Sequence, residues 1–245
     1  MIRIVASLAA FIIPFVSLAQ GPVDSAQIAA AEAKVRMASG FIDKSWAKTF
    51  TAWGERYVTP RLVGYDTFVM SACGKISGMN AHACDTDGAI YYSRPFLALL
   101  MTKTAYAKLT DGDMGAIVPI AHEWGHAVQN MLRLDYSSAA DRVEADADCL
   151  AGAVIAQANT AGYLEQGDVA ESEYSLQLVA DDPLVGGDWG KAIEMINARA
   201  PAGSIPVMTN ATGDHGNGRE RVAAFHRGFE SGARSCVLGI PRRTR

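Results

Sequence analysis

Hydrophobic and polar residues recur along this chain mainly with a helical period. The clearest case runs from Ile117 to Arg133. Ile117, Ile120, Trp124, Val128 and Met131 fall on one face of a helical wheel, and His122, His126, Gln129 and Arg133 on the other, with Glu123 at its margin. Such a stripe predicts a helix that packs one face in the core and lines a cleft with the other. Pro119 lies inside it, and a proline costs about 3 kcal/mol in a helix interior but little in a first turn. The helix therefore starts near Val118, or starts at Asp111 or Asp113 and is kinked. A second helical pattern, Val143, Ala147, Leu150 and Val154, follows Ser138 and Asp141, which read as an N-cap and the start of a capping box.

Upstream, Asp24 to Gly40 predicts an alanine-rich helix. Ile42 to Tyr57 predicts another, with Trp46, Phe50 and Trp53 spaced for a core face. The turn signal Asp87-Gly88 precedes a short strand, Ala89-Ile-Tyr-Tyr92. Leu164 to Asp168 reads as a turn before a helix, and Gly203 to Gly218 as a long loop. Asn217 reads as the N-cap of a helix continued by Arg221, Val222, Phe225 and Phe229. The expected class is α+β, predominantly helical.

The first residues have a different pattern. Arg3 precedes an apolar run from Ile4 to Leu18, and Ser17-Leu18-Ala19 has the small-residue spacing of a cleavage site. Residues 1–19 read as a signal peptide, and 20–245 as a single domain of an exported, periplasmic or secreted protein. The run is short for a membrane span, which needs about 20 residues, so no stable membrane insertion is expected after cleavage. The 245 residues are 49% hydrophobic and 20% charged, with a formal net charge of −4. Loss of Arg3 makes the chain slightly more acidic, which leaves no basic patch for nucleic acid. The basic last five residues, Pro241 to Arg245, read as a solvated tail.

Four cysteines in an exported chain imply two disulfides, with three pairings open. Cys73 and Cys84 are close in sequence, with Gly74, Gly78 and Asn80 suited to a compact loop between them. That leaves Cys149 with Cys236.

The candidate chemistry lies on the polar face of the first helix. His122-Glu123-Trp124-Gly125-His126 has the form HExxH. Histidines at i and i+4 stand about 5–6 Å apart at Cβ on one helix face, so both imidazoles can reach one tetrahedral metal ion, usually zinc. Glu123 is then placed to take a proton from an attacking water. A hydrolytic zinc site needs a third protein ligand and one open position. Leu132 occupies the place where metzincins carry a third histidine, which excludes that class. Glu144 and Asp148, i and i+4 on the second helix, offer one carboxylate to the metal and one to orient a ligand histidine. Glu144 is taken as ligand and Asp148 as its support; spacing alone leaves the reverse open. Asp141 and Asp146 read as a solvated acidic face.

With these residues in view, the chain resembles the neutral zinc metallopeptidases of bacteria, a family of the gluzincin type. The matching segments are Thr59-Pro-Arg-Leu-Val63, Ser71-Ala-Cys73-Gly74, Cys84 with Ile90-Tyr-Tyr92, Ala121 to Gln129, and Arg142 to Gly152 with its Cys149-Leu-Ala-Gly152 ending. Further on come His215-Gly216, Arg221-Val222, Arg227 to Gly232 and Cys236. Together they extend over residues 40–238. Trp124, where a smaller apolar residue is usual, and Ala127, where a histidine is common, depart from the pattern without touching the ligand set.

The resemblance implies a zincin-like fold with a small sheet over the HExxH helix. It supports Glu144 as third ligand, Asp148 as support and the Cys149–Cys236 pairing. It implies one Zn2+ per chain and a peptidase acting on peptide or protein substrates. The alternatives are a zinc hydrolase with another substrate, or a non-catalytic zinc-binding module. By likeness to membrane gluzincins, His215 stabilises an oxyanion, or is simply a loop histidine. Arg221 is expected to pair with a carboxylate near the site. Ala89 to Tyr92 would either pair with a substrate backbone or be a plain structural strand.

Overall fold

The computed structural model describes residues 23–108, 110–181 and 216–243. Residues 1–22, the greater part of the expected long loop and His215 lie outside this description. Helix α1 spans Ser25–Trp53 and opens with a reciprocal capping box, in which Asp24 accepts from the Gln27 N–H and Gln27 accepts from the Asp24 N–H, both at 2.8 Å. The sequence suggested a break at Gly40, but one helix runs through it. Val35, Ser39, Ile42, Trp46 and Phe50 are buried in unbroken steps of three and four, and this burial outweighs the ~1 kcal/mol that a mid-helix glycine costs.

Five short strands follow: β1 (Arg61–Tyr65), β2 (Phe68–Ser71), β3 (Gly74–Ser77), β4 (Ala81–Cys84) and β5 (Ala89–Ser93). β2 and β3 form a separate hairpin. The other three make a sheet in the order β1-β5-β4, with β1 parallel and β4 antiparallel to β5. The Ala89–Tyr92 segment is thus the central strand, buried along its length and paired on both sides. That corrects its candidacy as a strand open to substrate. Among the described residues β1 and β4 are the two edge strands of this sheet, and the β4 edge is the one turned to α3.

Four helices come next: α2 (Arg94–Lys108), α3 (Met114–Met131), α4 (Arg142–Thr160) and α5 (Asp168–Leu178). After the undescribed segment come α6 (Gly218–Ser231) and a short α7 (Ala233–Val237). The architecture is α+β, mostly helical, with small sheets. α3 starts at Met114 and contains Pro119, so the earlier start holds. Its core face packs as the pattern required: Ile120, Trp124 and Val128 are fully buried, and the Trp124 Nε1–H donates to the Tyr57 hydroxyl at 3.0 Å. Arg133 is not on the helix; it follows the end in a left-handed conformation, φ 56°. Ser138 does not cap α4. The helix begins at Arg142, and Asp141 precedes it without a side-chain cap bond.

Three close approaches set the positions of α3, α4 and α6. Gly125 of the HExxH pentad faces the backbone of Ala147, and a Cβ there would stand 2.7 Å from the Ala147 carbonyl oxygen. Gly152 and Gly228 let α4 and α6 touch backbone to backbone; a Cβ on either would fall inside the other helix, at Phe225 or Cys149. The Cys149–Cys236 disulfide joins α4 to α7 beside this crossing, and Cys73–Cys84 ties the tip of the β2–β3 hairpin to the end of β4. The basic C-terminal stretch is not a free tail as far as Arg243. The Asp135 N–H donates to the Pro241 carbonyl at 2.8 Å, and the Arg243 N–H to the Arg133 carbonyl at 2.7 Å.

These contacts set opposite outcomes for two glycines. Gly228→Ala is expected to destabilise by about 1–3 kcal/mol or more through overpacking, whereas Gly40→Ala, with open space around it, should stabilise by about 0.5–1 kcal/mol. Urea unfolding of both variants, disulfides intact, measures the two shifts, and equal shifts would contradict the α4–α6 crossing.

Candidate metal centre

His122 and His126 project from the polar face of α3 toward Glu144, in the first turn of α4. The three side chains bring ligand atoms within 4.8 Å of one another. The two Nε2 atoms are 3.1 Å apart, His122 Nε2 is 3.1 Å from Glu144 Oε2, and His126 Nε2 is 3.4 Å from Glu144 Oε1. Two ligands about 2.0–2.1 Å from a tetrahedral zinc stand about 3.3 Å apart, so these separations fit one ion shared by the three groups.

The tautomers fit as well. His122 Nδ1 is 2.7 Å from Asp148 Oδ1. Asp148 is completely buried, and although burial raises its pKa, Arg221 and His122 hold it below the usual carboxylate range. An ionised carboxylate only accepts, so His122 Nδ1 carries a proton and Nε2 is the nitrogen turned to a metal. His126 Nδ1 is 2.9 Å from Gln129 Oε1, and Gln129 Nε2 donates to the Val143 carbonyl at 2.7 Å. The amide oxygen is therefore the acceptor, and His126 Nε2 is also free to bind. The electrostatics favour a cation here. Burial lowers the His122 pKa, but Asp148 and then Glu144 overcome it and push the imidazole up to about 10. A proton or a metal ion can supply that positive charge.

Asp148 is held from behind by α6. Arg221, itself buried, donates from Nε to Asp148 Oδ2 at 2.8 Å, from Nη2 to Oδ1 at 2.9 Å, and from Nη1 to the Val179 carbonyl at 3.1 Å. This is the carboxylate pairing expected for Arg221. Asp146, expected on a solvated face, is fully buried and bonded to Arg142, Arg227 and Tyr136. It faces away from the histidines and joins α4 to α6.

Glu123 accepts the Ala83 N–H of β4 at 2.7 Å. That N–H points away from β5, so the β4 edge of the sheet faces the cluster. A cleft of about 890 Å³ opens here, lined by His82, Ala83, Glu123, His126, Tyr136 and Glu144 among others. The structure thus brings together His122, Glu123, His126, Glu144 and Asp148. Two contributors carried no assigned role in the sequence. Gln129 was legible in principle, being three residues past His126 on the same face. The Ala83 N–H was not, because a backbone donor has no residue signature.

A family model described as "Putative neutral zinc metallopeptidase" matches residues 17–237. Two curated relatives, both named Uncharacterized protein YpfJ, come from Escherichia coli strain K12 and from E. coli O6:H1 strain CFT073. Each is 29% identical over 205 residues, covering 78% of this chain and 64% of its own length. The chain thus spans just under two thirds of these relatives. No solved structure matches it.

Removing the supporting acceptors should weaken zinc binding without abolishing it. Asp148→Asn is expected to cost about 10–100-fold in zinc affinity, and Glu144→Ala considerably more. Competition with a zinc-binding dye measures both, and full affinity in Glu144→Ala would remove it from the ligand set.

Proposed function

The chain belongs to the neutral zinc metallopeptidase family, and on that premise we propose that it is a zinc-dependent peptidase of zincin type. One observation carries this reading: His122, His126 and Glu144 converge within 4.8 Å, with Glu123 beside them on the wall of an open cleft. A set of two imidazoles and one carboxylate suits zinc and leaves a coordination position for chemistry. When bound, zinc polarises a carbonyl and acidifies water.

The rest of the reaction belongs to the chain. Glu123 takes the proton of the attacking water and delivers it to the leaving amine. Its contact with Ala83 fixes the carboxylate at the edge of the sheet. The outward side of β4 offers backbone groups to an extended peptide, which would add to the sheet as a further strand and lay its scissile bond across Glu123. His82, exposed on β4, and Tyr136 lie along the same cleft. Asp148 and Gln129 keep both imidazoles in the metal-binding tautomer, and Arg221 keeps Asp148 ionised. His215, outside the described residues, is retained as a candidate oxyanion donor on the grounds of its sequence alone.

Residues 1–19 are proposed to direct export and 20–245 to form one domain. The two disulfides favour an oxidising compartment, and no helix among the described residues is long and apolar enough to cross a membrane.

Incubating the zinc-loaded protein with a diverse peptide library, and reading new termini by mass spectrometry, tests the proposal. Wild type is expected to cut, and Glu123→Gln to keep its zinc while losing at least about 10²-fold in rate. Zinc-loaded wild type that cuts nothing would refute a general peptidase, and undiminished cutting by Glu123→Gln would remove it as the base.

A further inference from the structure

A second group of carboxylates gathers on the far side of α3, at its N-terminal end. Oxygens of Asp111, Asp113 and Glu171 lie within 4.8 Å of one another. Asp168 stands close by: burial raises its carboxyl to about 6, and the charges of Asp113, Glu171 and Asp111 add to the effect. Against these four acids stands Lys34 of α1, whose Nζ donates to Asp111 and Asp113, both at 2.9 Å. One ammonium cannot balance the group.

Glu171 is where the imbalance shows. It is completely buried. Its Oε2 accepts only a long bond from the Met114 N–H, at 3.4 Å. Its Oε1 has no donor among the described residues, and neither does Asp113 Oδ1, which is also buried. A buried carboxylate oxygen with nothing to accept is unfavourable unless a proton or a cation meets it. Nor is Asp113 explained as a helix cap. It sits at the N-cap position of α3, yet its side chain makes no capping bond. Gly112, between Asp111 and Asp113, is in the left-handed conformation (φ 73°) and is packed against the backbone of Met101 and Ala105. That fixed turn presents both aspartates to Glu171.

We propose that Asp111, Asp113 and Glu171, with Asp168 beside them, form a second cation site that takes a calcium-type divalent ion. The donor set is all oxygen, with no imidazole or thiolate, which selects a hard cation and sets the site apart from the nitrogen-bearing centre at His122. The ion would join the turn between α2 and α3 to α5, and so brace the first turn of the helix that carries the HExxH pentad. The site does not depend on the peptidase reading and would serve an inactive protein equally well.

Calcium itself is the probe, added to the full zinc-loaded chain up to about 10 mM, a range that covers weak extracellular sites. Thermal unfolding and titration calorimetry are read together, with zinc content tracked. The wild type is expected to gain about 5 °C or more at saturation. Glu171→Gln should abolish the gain. Asp111→Asn, at a half-exposed position that leaves folding unthreatened, should raise the calcium needed by at least about tenfold. Zinc content should be the same in all three. A wild type that responds to neither calcium, magnesium nor manganese would overturn the proposal, and so would a calcium response that survives in Asp111→Asn unchanged. A Glu171→Gln variant more stable than an unresponsive wild type would show instead that a proton serves the cluster.

Discussion

The fold turns on a buried line of charge from Arg221 through Asp148 to His122. Arg221 and Asp148 are both out of water, and such a pair is tolerable only when each polar atom is met. Loss of one partner from a pair of this kind costs about 3–5 kcal/mol, because the survivor is left charged and alone. Here both carboxylate oxygens and all three guanidinium nitrogens have partners. The line crosses three helices, α6, α4 and α3, so it closes only if they pack at fixed separations. Glycines 125, 152 and 228 remove the side chains that would hold those helices apart, and the Cys149–Cys236 bond fastens the crossing one residue from Asp148. Packing and electrostatics are therefore a single requirement in this region.

Much of the cluster was legible because helical spacing converts directly into geometry. His122 and His126 at i and i+4, and Glu144 and Asp148 at i and i+4, could each be placed on one face before any coordinates. The aromatic spacing of Trp46 and Phe50 identified core in the same way. Failures came where the deciding partner is distant in sequence. Asp146 looked like one more surface acid because Arg227, 81 residues away, is invisible to local pattern. Gly40 looked like a stop because glycine is a local signal, while the burial that overrides it is tertiary. Ala89 to Tyr92 was recognisable as a strand, but whether it lay at the centre or the edge depended on β1 and β4. The capping reading of Ser138 failed because a loop that bonds to itself, as in the Ala139 N–H to Tyr136 carbonyl contact, places the helix start later than the first capping residue.

Besides their shared core, the sheet and α3 are joined by a hydrogen bond from Ala83 to Glu123. An unpaired edge strand usually leaves its outward N–H groups to solvent or to another chain. Here one of them orients a carboxylate, so the position of the sheet and the aim of Glu123 are coupled. The Cys73–Cys84 bond, at the end of β4, limits how far that edge can slide.

The Cys149–Cys236 bond has a topological result of its own. It links cysteines separated by 87 positions, and every residue of α5 and α6 lies within the ring it closes. One cut of the backbone anywhere inside that ring opens a loop without releasing a fragment: the piece bearing Arg221 stays chained to the helix bearing Asp148. Nicked and intact molecules then have the same mass apart from one water and travel together until a reductant is added.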